Sequence, residues 1–422
     1  MAPGPPIVDQ RPGAPGRPIL TPVLAPLDVP GGPVVFAPAG AAALRYNEPQ
    51  PPAPHSPIAD AVIAAVGDAA ARAGVAIPQP DARLFRACTD LAELVPPHVA
   101  GGAFDDTAIA FALSRNGIIE PAVRLLFWWG DVEAPGQFVR ELAPRLIEVL
   151  RSEGATRLGI GVAQRRADGT GAMVFALQGS AVSTLPIPRA VAPDGEVVID
   201  ATLEPRFHDP EVFVTFQAGA SVQVDVAEER AGHFVARIAC THRGRQQIEI
   251  TASNAGGSTV LANFPVWCGA EPAASARIDP VADDTPVESA EQAARYLAAR
   301  INRDRAVAGL PALRWDADVA AVAQRHAEEM RRTGVVAHVS PITGSAVDRV
   351  RAARIPTGAV LENVALAHRL DEAHRALMNS PGHRANILST MATHIGIGVA
   401  VGDEDAGRRA LFIAQLFTRP SP

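Results

Sequence analysis

Hydrophobic and polar positions follow different patterns along the chain and divide it into regions. Residues 1–57 show little periodic apolar pattern and hold a large share of the chain's 38 prolines. Such a composition offers little surface for a core and favours extended, polyproline-like backbone. We therefore predict a proline-rich, disordered leader over residues 1–57.

Residues 58–185 combine helical and strand patterns. Apolar positions recur every three to four residues in three stretches, and two later stretches are short apolar runs. The helical stretches are 81–94, 106–114 and 137–151, and the apolar runs are 158–163 and 172–177. Asp168 and Gly169, between the two runs, are typical of a hairpin turn. The pattern predicts a divergent α/β domain.

Residues 186–268 change to short segments with alternating apolar positions. This rhythm predicts a β-sandwich, immunoglobulin-like in its arrangement. Cys240 and Cys268 each follow the end of a predicted strand. They form a disulfide in an oxidising compartment or stay two buried thiols, and the sequence leaves both alternatives open.

A polar linker over residues 269–285 precedes the last domain. The motif Thr285-Pro286-Val287-Glu288 has the hydroxyl, the proline and the acid of a helix-capping box. Asp316 is placed to cap a second helix, and two apolar strands end the region. We predict a separate domain over residues 286–419.

Composition and charge exclude several classes of function. The net charge of -7 and the pI near 5.9 give no basic surface for nucleic acid. The sequence contains no lysine, which excludes Schiff-base chemistry and a Walker-type phosphate loop. No apolar run is long enough to span a bilayer. The first residues, MAPGPPIVDQRPG, have no readable secretory signal.

Three short motifs in the last domain carry the most specific information. They are His338-Val339-Ser340-Pro341, Glu362-Asn363 and the run NSPGHRANIL over residues 379–388. Their order and spacing resemble the CAP superfamily, most closely its cysteine-poor bacterial SCP-like branch, over residues 286–419. The resemblance implies an α-β-α sandwich with a cleft lined by two histidines and acidic residues. It also implies an extracellular or cell-envelope location.

The resemblance assigns His338 and His383 to the two cleft histidines and Glu362 to the first cleft glutamate. Many members have a second glutamate, where this chain has Ser380. The replacement removes one negative charge and the obvious second general base. The sequence therefore favours binding over catalytic turnover at this cleft.

Two imidazoles and one carboxylate suit a Zn²⁺ site with an open coordination position. We predict His338, His383 and Glu362 as ligands of Zn²⁺ or another divalent metal. The same three would be the catalytic residues of an enzyme, because bound Zn²⁺ lowers the pKa of water to about 7. Asn363, Ser380 and Arg384 are predicted supporting residues. The alternative is a hydrogen-bond network that holds the cleft loops without metal.

Three functions remain open on the sequence alone. The first is an accessory or ligand-binding module of the envelope or the extracellular space. The second is a metal-assisted, peptidase-like hydrolase, and the third is a module that binds lipid or polysaccharide without metal. The corresponding partners are a small ligand, a peptide, a lipid or a cell-wall polysaccharide. Whether the chain is an enzyme is left undecided, because fold alone does not fix function.

One internal similarity connects the first and last domains. The run RLGIGVA over residues 157–163 is similar to HIGIGVA over residues 394–400. The hypothesis is that residues 58–185 are a degenerate copy of the last domain. The copy has no counterparts of His338, Glu362 or His383, so it would be structural or a surface for a partner. Similarity confined to one hairpin would count against it.

Overall fold

The computed structural model describes residues 8–10, 34–53, 55–94, 106–121, 123–134, 136–164, 169–216, 221–278, 289–405 and 408–421. The helices and strands fall into three groups along the chain. The first group is β1 (Val8–Gln10), β2 (Val34–Phe36), β3 (Arg45–Tyr46), α1 (Pro57–Ala73), β4 (Gln79–Pro80), α2 (Ala82–Ala92), α3 (Asp106–Arg115), β5 (Arg124–Asp131), α4 (Gly136–Glu153), β6 (Arg157–Gln164) and β7 (Thr170–Gln178).

The other two groups follow in chain order. The second group is β8 (Val182–Thr184), β9 (Ile187–Pro188), β10 (Ala190–Val191), β11 (Glu196–Leu203), β12 (His208–Phe216), β13 (Ser221–Val224), β14 (Val226–Arg230), β15 (His233–Ala239), β16 (Gly244–Asn254) and β17 (Gly257–Cys268). The third group is β18 (Ala276–Ile278), α5 (Ala290–Val307), β19 (Arg314–Trp315), α6 (Ala317–Thr333), α7 (Ala346–Ala352), β20 (Thr357–Ala367), α8 (Leu370–Asn379), α9 (Pro381–Ile387), β21 (His394–Asp405) and β22 (Arg408–Pro420).

The first group forms a sheet between two layers of helices. Its strand order is β1-β5-β7-β6-β4, and β6 and β7 form the predicted antiparallel pair. Leu126 and Trp128 share a core with α1 and α4, whereas Leu125 and Trp129 share one with α2 and α3. Successive residues of a strand point to opposite faces, so both faces of this sheet are buried. Asp168 of the predicted turn lies outside the described residues.

The third group has the same three layers. Its sheet has the order β19-β21-β22-β20. Ile413 and Phe417 share a core with α5 and α8, and Phe412 and Leu416 share one with α6 and α7. Helices therefore cover both faces of the sheet. This is the α-β-α arrangement that the resemblance implies.

The first and third sheets have more in common than one hairpin. In each, a short parallel edge strand precedes a helix and lies beside an antiparallel hairpin, whose second strand pairs with a further antiparallel strand. Asp81 and Asp316 cap the helices after the edge strands. Their amides donate to the carbonyls of Leu158 at 3.0 Å and Ile395 at 2.9 Å. The shared features thus extend to a helix and its cap.

Glycines on the hairpin strands let a helix approach the sheet closely. A Cβ added at Gly161 would lie 2.0 Å from the amide nitrogen of Thr89 on α2. One added at Gly398 would lie 2.3 Å from the carbonyl carbon of Ala323 on α6. In both cases the nearest atom belongs to the backbone of the helix, and that atom can move away only if the whole helix moves. These glycines therefore set the spacing between sheet and helix.

Gly398→Ala is expected to lower the free energy of unfolding by about 1–3 kcal/mol, because overpacking forces α6 away from the sheet. Gly358→Ala on β20 is the matched control, since a Cβ there meets nothing within 4 Å. The control should change stability by less than about 0.5 kcal/mol. Urea denaturation of both variants measures the difference. Equal stability of the two variants would contradict this close approach.

The second group forms two sheets around one core. Their strand orders are β10-β17-β16-β12-β13 and β14-β15-β11-β8, and Phe234 of one sheet shares the core with Phe264 of the other. Cys240 and Cys268 form a disulfide, with Cα atoms 5.5 Å apart. Of the two alternatives left by the sequence, the structure therefore has the disulfide. Burial raises the pKa of the third cysteine, Cys88, well above its usual range.

The prediction of a disordered leader is wrong for residues 8–10, which form β1 and pair with β5, and for residues 34–53. In residues 34–53, β2 pairs with β18, and β3 pairs with β9 in a separate two-stranded sheet. Phe36 and Tyr46 are buried, and the hydroxyl of Tyr46 donates to the carbonyl of Pro265 at 2.5 Å. Two isolated aromatic side chains anchor the segment, and isolated positions produce no periodic pattern.

The predicted linker is also partly structured, because β18 lies within it. Residues 279–288, including the predicted capping box at Thr285, lie outside the described residues. Helix α5 has Ser289 as its N-cap, and the Ser289 hydroxyl accepts from the Gln292 amide at 3.1 Å. No helix in the described part of the chain is long and apolar enough to cross a membrane.

Candidate functional site

The structure brings the three predicted cleft residues together from three different elements. His338 lies between α6 and α7, Glu362 lies on β20 and His383 lies on α9. The Nδ1 atom of His338 is 3.0 Å from Oε2 of Glu362. The rings of His338 and His383 are stacked, with centroids 6.2 Å apart and planes 24° apart. The site is therefore a pair of facing imidazoles with one carboxylate beside it.

Glu362 is buried, and both of its carboxylate oxygens are engaged. Oε1 accepts a hydrogen bond from Arg349, whose guanidinium also donates to the carbonyl oxygens of His338 and Gly344. Oε2 faces Nδ1 of His338. A carboxylate that is held by a cation through one oxygen can hold the orientation of an imidazole ring through the other. Glu362 therefore orients His338, and Arg349 orients Glu362.

Asn363 connects β20 to α9 through a buried network. Its Nδ2 donates to the carbonyl of His383 and to Oε1 of Gln415, each at 3.1 Å. Its Oδ1 accepts from Asn386 at 2.9 Å, and Asn386 also donates to the carbonyl of Glu362 at 3.0 Å. A buried network of amide hydrogen bonds holds the elements that it joins in fixed positions. Asn363 thus supports the site by fixing the helix that carries His383.

Ser380 is the N-cap of α9, followed by Pro381 in the first helical turn. This is the serine-then-proline order that favours a helix start. Its Oγ lies 2.7 Å from Nδ1 of His383 and accepts weakly from the amide of the same residue. Ser380 is buried. Its hydroxyl therefore orients His383 as Glu362 orients His338.

A second carboxylate reaches the site from the sandwich and was missed by the sequence analysis. Glu249, on β16, is fully buried and accepts from the amide of Gly382 at 2.8 Å and from Nδ2 of Asn263 at 3.0 Å. Burial raises the pKa of Glu249 to about 7, and its interactions with Ser380, Gly382 and Asn263 oppose the rise. No motif marks Glu249, because its neighbours are distant in sequence.

His383 is held in its neutral form at physiological pH. Burial, with a smaller contribution from the neighbouring His338, lowers the pKa of His383 to about 3. Neutral imidazole is the form that binds transition metals and accepts protons. The site therefore keeps an unprotonated ring available without needing alkaline conditions.

The chemistry of these donors suits a metal only in part. Nδ1 of each ring is used by Glu362 or Ser380, which leaves the two Nε2 atoms as ligand atoms. Glu362 is committed to His338 and Arg349. Among the residues that the structure describes, no group of three His, Cys, Asp or Glu side chains is arranged to hold a metal ion. The site thus offers two ring nitrogens to which a metal could bind, and Glu362 lies behind one of the two rings.

Arg384, the remaining predicted supporting residue, lies on α9 next to His383 and is half-buried. Burial lowers its pKa, and the nearby Asp304 opposes that shift. The guanidinium paired with Glu362 belongs to Arg349, which the sequence contains 13 residues before Glu362. The sequence alone does not show that an arginine on α7 pairs with a glutamate on β20, because the pair forms only when the two elements pack together.

Comparison with known proteins identifies a family whose sequence model covers the residues of this site. Residues 298–417 match the sequence model of the CAP family, described as the cysteine-rich secretory protein family. The C-terminal third of this chain is a CAP domain. His338, Glu362 and His383 all lie within the matched residues.

Relatives of the CAP domain occur in Bacillus subtilis. The uncharacterized membrane protein YlbC is 37% identical over 93 residues, which are 22% of this chain and 27% of YlbC. The uncharacterized protein YkwD is 35% identical over 98 residues, which are 23% of this chain and 38% of YkwD. The match therefore spans well under half of either relative.

A solved structure also resembles the chain. It is an extracellular protein containing a SCP domain from Bacillus anthracis, 17% identical, and the match covers 57% of this chain and 87% of that one. The TM-score is 0.28.

Proposed function

We propose that this protein acts outside the cell or in its envelope, and that its CAP cleft is a ligand-binding module that takes up a divalent metal such as Zn²⁺. The observation that carries the proposal is the pair of imidazoles, each with Nδ1 on an orienting oxygen and Nε2 left for a ligand. Metal-binding histidines in proteins are held in this way. The remaining coordination positions would be filled by water or by a bound molecule.

The location rests on two observations. One similar solved protein, from Bacillus anthracis, is described as extracellular. In addition, Cys240 and Cys268 form a disulfide in the sandwich. Disulfides persist in oxidising compartments, which lie outside the bacterial cytosol.

The arrangement supports binding more than hydrolysis. Ser380, in place of a second glutamate, is buried and caps a helix. Glu362 has both oxygens engaged, one of them by Arg349. A general base must have a free lone pair within reach of the substrate's proton. When bound, a metal ion would supply an electrophilic centre that captures an anionic or carbonyl oxygen.

Zinc titration calorimetry on the full chain tests the proposal. The wild type is expected to bind with micromolar or tighter affinity, and His338→Ala and His383→Ala are each expected to abolish the heat of binding. His208→Ala is the matched control, since His208 is an exposed histidine of the sandwich. Absence of binding in the folded wild type would refute the metal proposal.

We also propose that residues 58–185 are a degenerate copy of the CAP domain, with a structural role. The common strand order, the aspartate caps of α2 and α6 and the close-packed Gly161 and Gly398 support it. An immunoglobulin-like character of the sandwich likewise remains a proposal, supported by its two sheets and their disulfide.

A further inference from the structure

The sandwich contacts both of the segments that carry the cleft histidines, and the contacts come from one hairpin, β16–β17. Its two strands are paired from Gly244 and Cys268 to the turn. At the turn, the carbonyl of Gly256 accepts from the amide of Val339, next to His338, at 3.0 Å. The turn of the hairpin therefore packs directly against the His338 segment.

The middle of the same hairpin contacts the start of α9, which carries His383. Glu249 and Asn263 lie opposite each other on the two strands, and Nδ2 of Asn263 donates to Oε2 of Glu249 at 3.0 Å. Oε1 of Glu249 accepts from the amide of Gly382 at 2.8 Å, and Nδ2 of Asn263 donates to the carbonyl of Asn379 at 3.3 Å. The hairpin thus holds backbone groups on both sides of the N-cap of α9.

The hairpin joins the two histidine segments a second time. Within the CAP domain they are joined through β20, because Glu362 contacts His338 and its carbonyl accepts from Asn386 of α9. The hairpin joins them from the sandwich, at the turn and at the pair of Glu249 and Asn263. Closely packed strands transmit displacement, so the hairpin can move at one of these contacts only by moving at the other.

We propose that the β16–β17 hairpin is a positioning element of the cleft: it ties the His338 segment to the start of α9, so that the sandwich and the CAP domain together set the relative placement of the two imidazoles. The proposal rests on the proposed function in that it takes the imidazole pair as the binding site. The side chain of His338 is 24% exposed with the hairpin in place, so the hairpin is a wall of the cleft and leaves that ring open to a ligand. Asn263 is the central positioning residue, since its backbone amide also donates to the carbonyl of Ile119 in the first domain at 2.8 Å.

Amide hydrogen exchange, resolved by residue in the metal-free, full-length protein, tests the coupling. Asn263→Ala removes the side-chain bonds at α9 and keeps the backbone bond to Ile119. Exchange is expected to accelerate about 3–10-fold at the amide of Gly382 and, across the cleft, at the amide of Val339, as for the loss of one or two hydrogen bonds. A purely local role of Asn263 would not change Val339. The amide of the buried Ile413 on β22 should exchange as in the wild type, because the CAP core stays intact.

A cross-link at the turn gives the reverse experiment. A Cβ added at Gly256 would lie 3.5 Å from the Cβ of Ala337, which is within the range of disulfide-bonded cysteines. Gly256→Cys combined with Ala337→Cys should therefore form a disulfide on mild oxidation. Introduced into Asn263→Ala, this disulfide should return the amide of Gly382 to the wild-type exchange rate, and reduction should make its exchange fast again.

Two controls accompany these variants. The wild type is taken through the same oxidation and reduction, because the disulfide between Cys240 and Cys268 is common to all the proteins. Gln223→Ala removes an exposed amide of the same sheet, which is bonded to Glu211 within the sandwich at 3.0 Å. It should leave the exchange rates of Gly382 and Val339 unchanged.

Zinc calorimetry connects the hairpin to binding. Asn263→Ala is expected to bind Zn²⁺ about tenfold more weakly, the lower end of the usual cost of losing a group that orients a metal ligand. The oxidised cross-link should recover the affinity. An oxidised cross-link that abolishes binding, with binding restored by reduction, would show that the hairpin is a lid that must open, and would overturn its assignment as a wall.

The outcomes separate this inference from the proposed function. Unchanged exchange at Val339 in Asn263→Ala, or fast exchange at Gly382 that persists in the oxidised cross-link, would overturn the positioning role. Should Asn263→Ala not fold, Asn263→Ser replaces it, because serine also lacks the two N–H donors of the amide. Should the cysteine variant not fold, the exchange at Val339 decides alone. A wild type that does not bind Zn²⁺ while the exchange rates change as expected would refute the metal proposal alone.

Discussion

Between pH 4 and pH 8.5, the stability of the wild type is expected to fall by roughly 3 kcal/mol relative to that of Glu249→Gln. The pKa of Glu249 is raised by burial from 4.5 to about 7. The folded protein thus holds a proton that the unfolded chain releases. The stabilisation is complete below pH 4.5 and is lost as the pH rises through 7. Glutamine does not titrate, so the variant lacks this dependence.

Urea denaturation of both proteins at a series of pH values measures the effect. His383 and the other titrating groups are common to both proteins, so their contributions largely cancel in the difference. A difference that stays constant across this range would show that Glu249 keeps an ordinary acidity and is not buried against α9.

Arg349→Met is expected to lower the free energy of unfolding by about 3–5 kcal/mol, because it leaves the buried carboxylate of Glu362 without its cation. Both side chains are about 5% exposed or less. Arg351→Met is the matched control: Arg351 lies on the same helix but is largely exposed, in a surface pair with Asp348. It should change stability by less than about 0.5 kcal/mol.

Thermal or urea unfolding of the two variants gives the comparison. Adding Glu362→Gln to Arg349→Met should recover part of the loss, since the uncompensated charge is then removed. A loss no larger than that of Arg351→Met would mean that Arg349 does not hold Glu362. The assignment of the cleft geometry would then be wrong.

Much of the CAP domain was predictable because its information is local. The face of α6 with Val319 and Val322, the cap at Asp316 and the motif around His383 are each contained in a few consecutive residues. Such signals survive in a single sequence, since helix caps and periodic faces depend on near neighbours. The approach of His338, Glu362 and His383 followed from the family resemblance carried by those motifs.

Glu249 could not be predicted because its partners are remote along the chain. Its hydrogen bond to Gly382 joins residues 133 positions apart, across two domains. In the sequence of β16, Glu249 is indistinguishable from the other polar residues of a strand with alternating polar and apolar positions. The burial of Tyr46 was not predicted for a related reason: one aromatic residue in a proline-rich segment produces no periodic hydrophobic pattern. The positions of both residues depend on contacts between domains. The residue pattern along a single helix or strand carries no information about such contacts.

Tyr46 also bears on how the protein can be shortened. It contributes to the same core as Phe264, and Arg189 lies over the rings of both Tyr46 and Trp267. A version that begins at residue 58 would look like a clean removal of a proline-rich tail. It would instead open the side of the sandwich and leave an apolar groove facing water, which promotes self-association. Poor solubility of such a version would then result from the loss of Tyr46 from the core of the sandwich, and not from damage to the CAP domain.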